Sequence, residues 1–265
     1  MKPETVSLMC APGSHEPLRL VSSPGTAGDV KEFLVGIKSG QRFPMREGIP
    51  ILLDESKVTG FNQHYQRIYN RVAGLYDTAI RLFTSLAGGG EGNFRGEYLR
   101  ELDMKEGGRL LEVSIGTGAN LHYLPRKVDC FGVDISWGML ARCRENLRRW
   151  GLQAELIQGN AEELPLLDDK FDAVLHVGGI NAFNDPAVAI REMVRVARGG
   201  ARIVIVDETA RMMESMAWMP VVRKWLKEHG ERFAAPVGLL PTGMKDVRAR
   251  DFMKGNMYCL TFRKP

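Results

Sequence analysis

Two glycines, at 116 and 118, a serine at 114 and an acid at 134 are the residues whose types and spacing first suggest chemistry. They belong to Leu110-Leu111-Glu112-Val113-Ser114-Ile115-Gly116-Thr117-Gly118-Ala119-Asn120-Leu121, an apolar run ending in a glycine-spaced turn, and to Val133-Asp134, the end of the next apolar run. A strand that stops, a turn tight enough to need glycine and a helix N-terminus beyond it make an edge suited to a nucleotide-like cofactor. Asp134 stands where an acid ending the second strand accepts hydrogen bonds from a ribose diol. A structural strand-to-helix turn accounts equally well for the glycine pair taken alone. A dinucleotide site needs a third glycine in G-x-G-x-x-G, and this chain has Leu121 and Ser114 where one is required.

The elements that must position these residues follow in order. A helical pattern runs to about Trp150, a short strand Ala154-Glu155-Leu156-Ile157 leads into Gly159-Asn160-Ala161-Glu162, and strands are expected at Lys170–Val177 and Gly199–Val206. A closing hairpin is expected between Asp246 and Arg263, turning at Gly255-Asn256. This succession resembles the class I S-adenosylmethionine-dependent methyltransferases, especially the ubiquinone and menaquinone C-methyltransferase group. The resemblance implies an α/β fold: a Rossmann-like seven-stranded sheet, its last strand antiparallel, flanked by helices, with a small β-rich N-terminal module.

It also implies S-adenosyl-L-methionine as cofactor, with S-adenosyl-L-homocysteine as product. The matching cofactor positions are Glu112, Ser114, Gly116 and Gly118 in the glycine turn, Asp134, Ile135 and Met139 after the second strand, Asn160, Ala161 and Glu162 at the adenine edge, and Gly178 after the fourth strand. Leu75-Tyr76-Asp77 matches the family's Tyr-Asp on a covering helix, making Tyr76 the residue that closes the cofactor site. The family has glycine where this chain has Ser114, which narrows the space for the cofactor's amino-acid end.

Methyl transfer from a sulfonium is an in-line displacement, so alignment supplies most of the catalysis, and a general base is needed only when the acceptor must lose a proton. His176, at the end of the fourth strand, is the candidate base; packing within the strand is its bland alternative. Tyr65, Tyr69, Asn181 and Met216 are the candidate acceptor contacts, with His64 and Asp207 as further polar ones. The Met- and Trp-rich stretch Arg211–Pro220 suits an adaptable apolar surface, and packing of an amphipathic helix explains it as well.

Residues 1–56 read as a small β-rich module and 57–265 as the catalytic domain, within which 57–104 form a helical lid and 208–240 a segment covering the substrate. Leu8-Met9-Cys10-Ala11-Pro12 with Phe43–Leu52 resembles the zinc ribbon of the Trm112-like group, in which paired cysteines hold metal. Only Cys10 remains here, and His15 cannot complete a tetrahedral site, so no metal is expected and the module is read as folding by packing, to serve as a docking surface for protein or as a substrate lid. Four cysteines without a C-x-x-C pair indicate neither a disulfide framework nor a tetrathiolate site.

The net charge of +4 from 36 basic and 32 acidic residues demands no polyanion. Arg142, Arg144, Arg148 and Arg149 lie on more than one helix face, so nucleic acid is not the expected partner. No apolar run approaches the roughly 18 residues of a membrane span and no signal core is visible, so a cytoplasmic protein is expected. The sequence therefore reads as a methyltransferase for a small, apolar acceptor, by O- or C-methylation. Two alternatives stay open: an RNA base methyltransferase, and a cofactor-binding but non-catalytic partner subunit.

Overall fold

The computed structural model describes residues 3–24, 30–86, 90–219, 222–223, 226–227 and 230–265. A four-residue helix α1 (Pro3–Val6) precedes an antiparallel meander of β1 (Leu18–Pro24), β2 (Val30–Gly36), β3 (Arg42–Arg46) and β4 (Ile49–Leu52). The long helix α2 (Gly60–Leu86) and α3 (Gly90–Leu99) follow. The alternating part is β5 (Arg109–Val113), β6 (Asp129–Asp134), α4 (Trp137–Trp150), β7 (Glu155–Gly159), β8 (Phe171–Val177), α5 (Pro186–Val196) and β9 (Ala197–Glu208). After α6 (Ala210–Ser215) the chain ends in the hairpin β10 (Lys245–Phe252) and β11 (Met257–Arg263).

The strands join in the order β1-β2-β3-β4-β7-β6-β5-β8-β9-β11-β10. From β7 to β10 this is the expected seven-stranded sheet, with β11 antiparallel to both neighbours. The expected count of seven is nevertheless too low, because the sheet has eleven strands. The N-terminal meander extends it through a parallel contact of β4 with β7, pairing Ile51 with Gln158 and Leu52 with Gly159. An open parallel edge leaves unpaired backbone donors and acceptors, and β4 satisfies them.

The meander is fastened at further points. Met9 bridges Leu166, the Cys10 amide donates to the Pro165 carbonyl at 3.1 Å, and the Arg46 guanidinium lies 4.1 Å over the Trp137 ring. Cys10 is fully buried, and burial pushes its thiol up to about 12. The central strands read as near-continuous apolar runs because helices cover both faces; Leu110, Leu111 and Val113 of β5 and Ile203 to Val206 of β9 are fully buried.

The helices that frame the carboxyl ends of the strands have clear local causes. Ser136 caps α4 by accepting from the Met139 amide at 3.2 Å, and Gly151 ends it with φ 63°. Asp185 caps α5 in the same way, followed by Pro186 in its first turn. Among the described residues no helix is long and apolar enough to cross a membrane.

Candidate active site

The strand order reverses between β5 and β8, and in open α/β sheets ligands bind at that crevice. After β5 the backbone turns through left-handed residues: Ser114 at φ 59°, Gly116 at 56° and Gly118 at 75°. A Cβ on Gly116 or Gly178 would meet no atom within 4 Å, so both glycines border open space. A Cβ on Gly118 would stand 2.6 Å from the Cys143 sulfur, so that glycine serves close packing of the loop on α4.

Asp134 is locked by two backbone donors. Its Oδ2 accepts from the Gly116 amide at 2.8 Å and its Oδ1 from the Ser136 amide at 2.8 Å. Burial pushes its carboxyl up to about 6, against the pull of the Ser136, Gly116 and Ile135 amides. Glu112 lies deeper. Its Oε1 accepts from Asn120 Nδ2, whose Oδ1 accepts in turn from Arg95 Nη1 and the Tyr98 hydroxyl, each at 2.6 Å. Glu112 Oε2 is buried without a hydrogen-bond partner among the described residues, and burial pushes this carboxyl up to about 8.

A cavity of about 70 Å³ opens above the loop, lined by Ser114, Gly116, Asp134, Ile135, Met139 and Gly178 among the expected cofactor positions, and by Tyr65 and Tyr69 from α2. A smaller one of about 20 Å³ shares Ser114, Asp134 and Ile135 with it and adds Asn160 and Ala161. The rings of Tyr65 and Tyr69 lie 6.1 Å apart. Burial, and then the charges of Glu208 and Asp207, push the Tyr65 phenol up.

Other expected positions stand back from this space. Glu162 is a tie: its Oε1 accepts from Asn62 Nδ2 at 2.9 Å and from the Asn184 amide at 2.8 Å. Asn181 donates its amide to Asp207 Oδ2 at 3.1 Å. Met216 lies in the turn after α6, its amide bonded to the Met213 carbonyl, and it lines neither cavity. His176 is fully buried, with its ring 5.2 Å from Phe183, which itself lines the cavity. His176 Nδ1 lies 3.0 Å from the Val113 carbonyl, which can only accept, so the proton sits on Nδ1. Nε2 has no hydrogen-bond partner among the described residues, and burial pushes the imidazole down toward its neutral form. The Tyr76 side chain lies outside the described residues.

Residues with no motif fasten α2 over the site. Asn62 lines both cavities, Gln66 Nε2 donates to the Ile135 carbonyl at 3.1 Å, and Asn70 Oδ1 accepts from Ser136 Oγ at 2.7 Å and the Gly138 amide at 2.9 Å. Asp77 accepts from Thr117 Oγ1 at 2.5 Å and Asn146 Nδ2 at 3.0 Å. The signal was present: Asn62, Gln66 and Asn70 recur every fourth residue, which puts three amides on one face of a helix. Of the arginine cluster, Arg142 pairs with Asp77 and Glu145, and Arg144 pairs with Glu47.

Comparison with known proteins agrees with this geometry. Residues 111–205 match the methyltransferase domain family. The chain is 41% identical over 107 residues to a phosphatidylethanolamine N-methyltransferase of Cereibacter sphaeroides, covering 40% of this chain and 53% of that one. It is 34% identical over 125 residues to a demethylmenaquinone methyltransferase of Bacillus cytotoxicus, covering 45% and 53%. The matches thus span about half the length of these relatives. Haemonchus contortus phosphoethanolamine N-methyltransferase 2, solved with S-adenosyl-L-methionine, superposes with a TM-score of 0.60 at 14% identity, over 82% of this chain and 62% of that one. Strand order, glycine turn and Asp134 fall within the stretch that matches the family model, so residues 111–205 carry a methyltransferase domain.

Proposed function

We propose that this protein transfers the methyl group of S-adenosyl-L-methionine to a small, apolar acceptor held under α2, by O- or C-methylation. The observation that carries the reading is the Asp134 carboxylate, pinned by the Gly116 and Ser136 amides at the rim of the cavity. The residues fit the cofactor: an acid for a ribose diol, open space at Gly116 and Gly178, apolar Ile135 and Met139 beside it, and an orphaned Glu112 oxygen beneath the loop. When bound, the cofactor supplies a methyl group made electrophilic by its sulfonium.

The chain's own part is to hold and to exclude. Asp134 orients the ribose hydroxyls by accepting their hydrogen bonds. Val177, Ala182, Phe183, Tyr65 and Tyr69 form an apolar wall where an acceptor would lie against the methyl group and be shielded from water. Near-contact alignment of nucleophile and methyl carbon is the main catalytic contribution such a wall makes. Apart from Asp134 and the two tyrosines, no titratable side chain among the described residues lines the space, which favours an acceptor already nucleophilic, such as an ionised phenol or an activated ring carbon. His176 acts in this reading as a positioning residue behind Phe183. A cavity of about 70 Å³ is far below the roughly 300 Å³ of a small-molecule site, so α2 moves outward to admit the cofactor.

One observation favours an amine acceptor as a second reading. Asp207 is fully buried at the end of β9, next to Glu208, whose carboxyl is pushed well up by burial and by Asp207. Such a pair can take the proton that an ammonium must lose before it attacks.

Calorimetric titration with S-adenosyl-L-methionine, S-adenosyl-L-homocysteine and NAD tests the cofactor, with micromolar binding of the first two and none of NAD expected. Methyl transfer to phenols and quinols supports the first acceptor reading, and transfer to amines alone replaces it with the second. Cofactor binding without turnover on any acceptor makes the chain a non-catalytic partner, and no binding of either sulfur compound refutes the proposal.

A further inference from the structure

A second cavity, larger than the one beside Asp134, lies away from the cofactor edge. About 710 Å³ lies at the opposite, amino ends of β6 and β7. Its walls come from both parts of the chain: the Glu47-Gly48-Ile49 turn of the N-terminal meander on one side and the C-terminal half of α4 on the other. The walls are tied across the gap by Arg144, which donates to the Glu47 carbonyl at 2.7 Å and pairs with the Glu47 carboxylate. Leu121, Leu124, Leu147 and Leu156 form an apolar floor.

Arg126, Arg144 and Arg148 share the lining with Glu47, Asp129 and Glu155, balanced in formal charge but not in pairing. Arg126 and Arg148 line the groove, are exposed, and have no acidic partner among the described residues; the buried Arg144 Nε also lacks a hydrogen-bond acceptor. Of the opposing carboxylates, Asp129 is engaged by Arg109 at 3.2 Å, which leaves Glu155 as the one acid of the groove with no basic partner among the described residues. Two free guanidinium groups over a leucine floor complement a molecule with one anionic head and a hydrocarbon body. We propose that this groove binds a single-chain anionic amphiphile, a long-chain carboxylate or alkyl phosphate. Its place at the far ends of the strands separates it from the methyl acceptor, so its occupant is an effector or a tether. The N-terminal meander thereby gains a role, since without its β3–β4 turn the groove has only one wall.

The test is calorimetric titration of the full chain with dodecanoate, dodecyl phosphate and dodecyltrimethylammonium, each below its micellar concentration. Saturable 1:1 binding of one or both anions, with none of the cation, is expected; the two anion arms separate carboxylate from phosphate heads. The Arg126→Glu/Arg148→Glu double variant should lose at least tenfold in affinity, and Ala154→Trp, which fills the groove without touching charge, should lose binding as well. Both variants should bind S-adenosyl-L-methionine as the parent does, which shows that they are folded. Equal binding of the cationic amphiphile, full anion binding by either variant, or no saturable binding of either anion would overturn the proposal.

Discussion

Replacing Glu112 by Gln should make this protein more stable at neutral pH. The Glu112 carboxyl is 1% exposed, and burial is the chief cause that pushes it from 4.5 to about 8, outweighing the Asn120 hydrogen bond and the charge of Arg95. A carboxyl whose folded value is raised favours the folded state most below 4.5, where both states are protonated, and loses that contribution as pH climbs toward 8. Each pH unit in that window costs about 1.4 kcal/mol, so at pH 7 the accumulated cost is about 3 kcal/mol. Glutamine keeps an acceptor for Asn120 and leaves one polar group without a partner, as the protonated acid does; the removed ionisation is the whole difference. Thermal and urea unfolding of the cofactor-free protein at pH 4.5, 7 and 8 provide the assay. The variant should match the parent at pH 4.5 and unfold about 6–12 °C higher at pH 7, using 2–4 °C per kcal/mol for a chain of this size. A variant that is less stable at pH 7, or whose advantage is the same at all three values, would refute the burial argument.

Asp134 should show the opposite sign in binding. Its carboxyl is pushed up to about 6, so the affinity for S-adenosyl-L-methionine should be level above pH 7 and fall about tenfold per unit below 6; Asp134→Ala should cost roughly 1.5–3 kcal/mol at pH 7.5, both read by calorimetry. Gly138→Ala would set a Cβ 2.9 Å from Asn70 Cα and 3.0 Å from its carbonyl oxygen. The overpacking, about 1–3 kcal/mol, exceeds the gain of about 1 kcal/mol from alanine in a helix, so lower stability and faster proteolysis within α2 are expected. Ser114→Gly relieves a left-handed serine at φ 59°, about 1 kcal/mol, against a comparable entropic loss of 0.5–1 kcal/mol. Its melting point should stay put while the cofactor binds several-fold tighter, because the serine side chain lines both cavities.

The glycine turn after β5 was legible in the sequence because backbone conformation writes it there. Positive φ at Gly116 and Gly118 demands glycine, and an acid ending β6 stands at a fixed register from them. The edge at Asn160 and Ala161 was placed by the strand that precedes it. What was not legible depends on partners remote in the chain. Ile49–Leu52 is an apolar run like several others, and nothing in it names a neighbour more than a hundred residues away; only the structure pairs it with β7 and lengthens the sheet to eleven strands. His176 was placed at the right strand end, but a strand's side chains alternate between faces, and this imidazole packs behind Phe183 rather than in the cavity wall.

The same division separates what the fold specifies from what it leaves free. Asp134 holds its position through amides of the glycine turn and of the α4 N-terminus, neither of which depends on side-chain identity. The proposed acceptor wall would be assembled from Tyr65 and Tyr69 on α2 and Ala182 and Phe183 beyond β8, which line the cavity and share no backbone register. Each can change without disturbing the glycine turn. Relatives named for a phospholipid amine and for a quinone precursor are therefore compatible with one cofactor site. In this chain the choice rests on whether the acceptor meets the apolar wall alone or reaches past Tyr65 to the Asp207 and Glu208 carboxyls, whose charges that phenol senses. Glu208→Gln separates the two: it should leave transfer to a phenol within about threefold and abolish transfer to an amine, since only the amine must surrender a proton there.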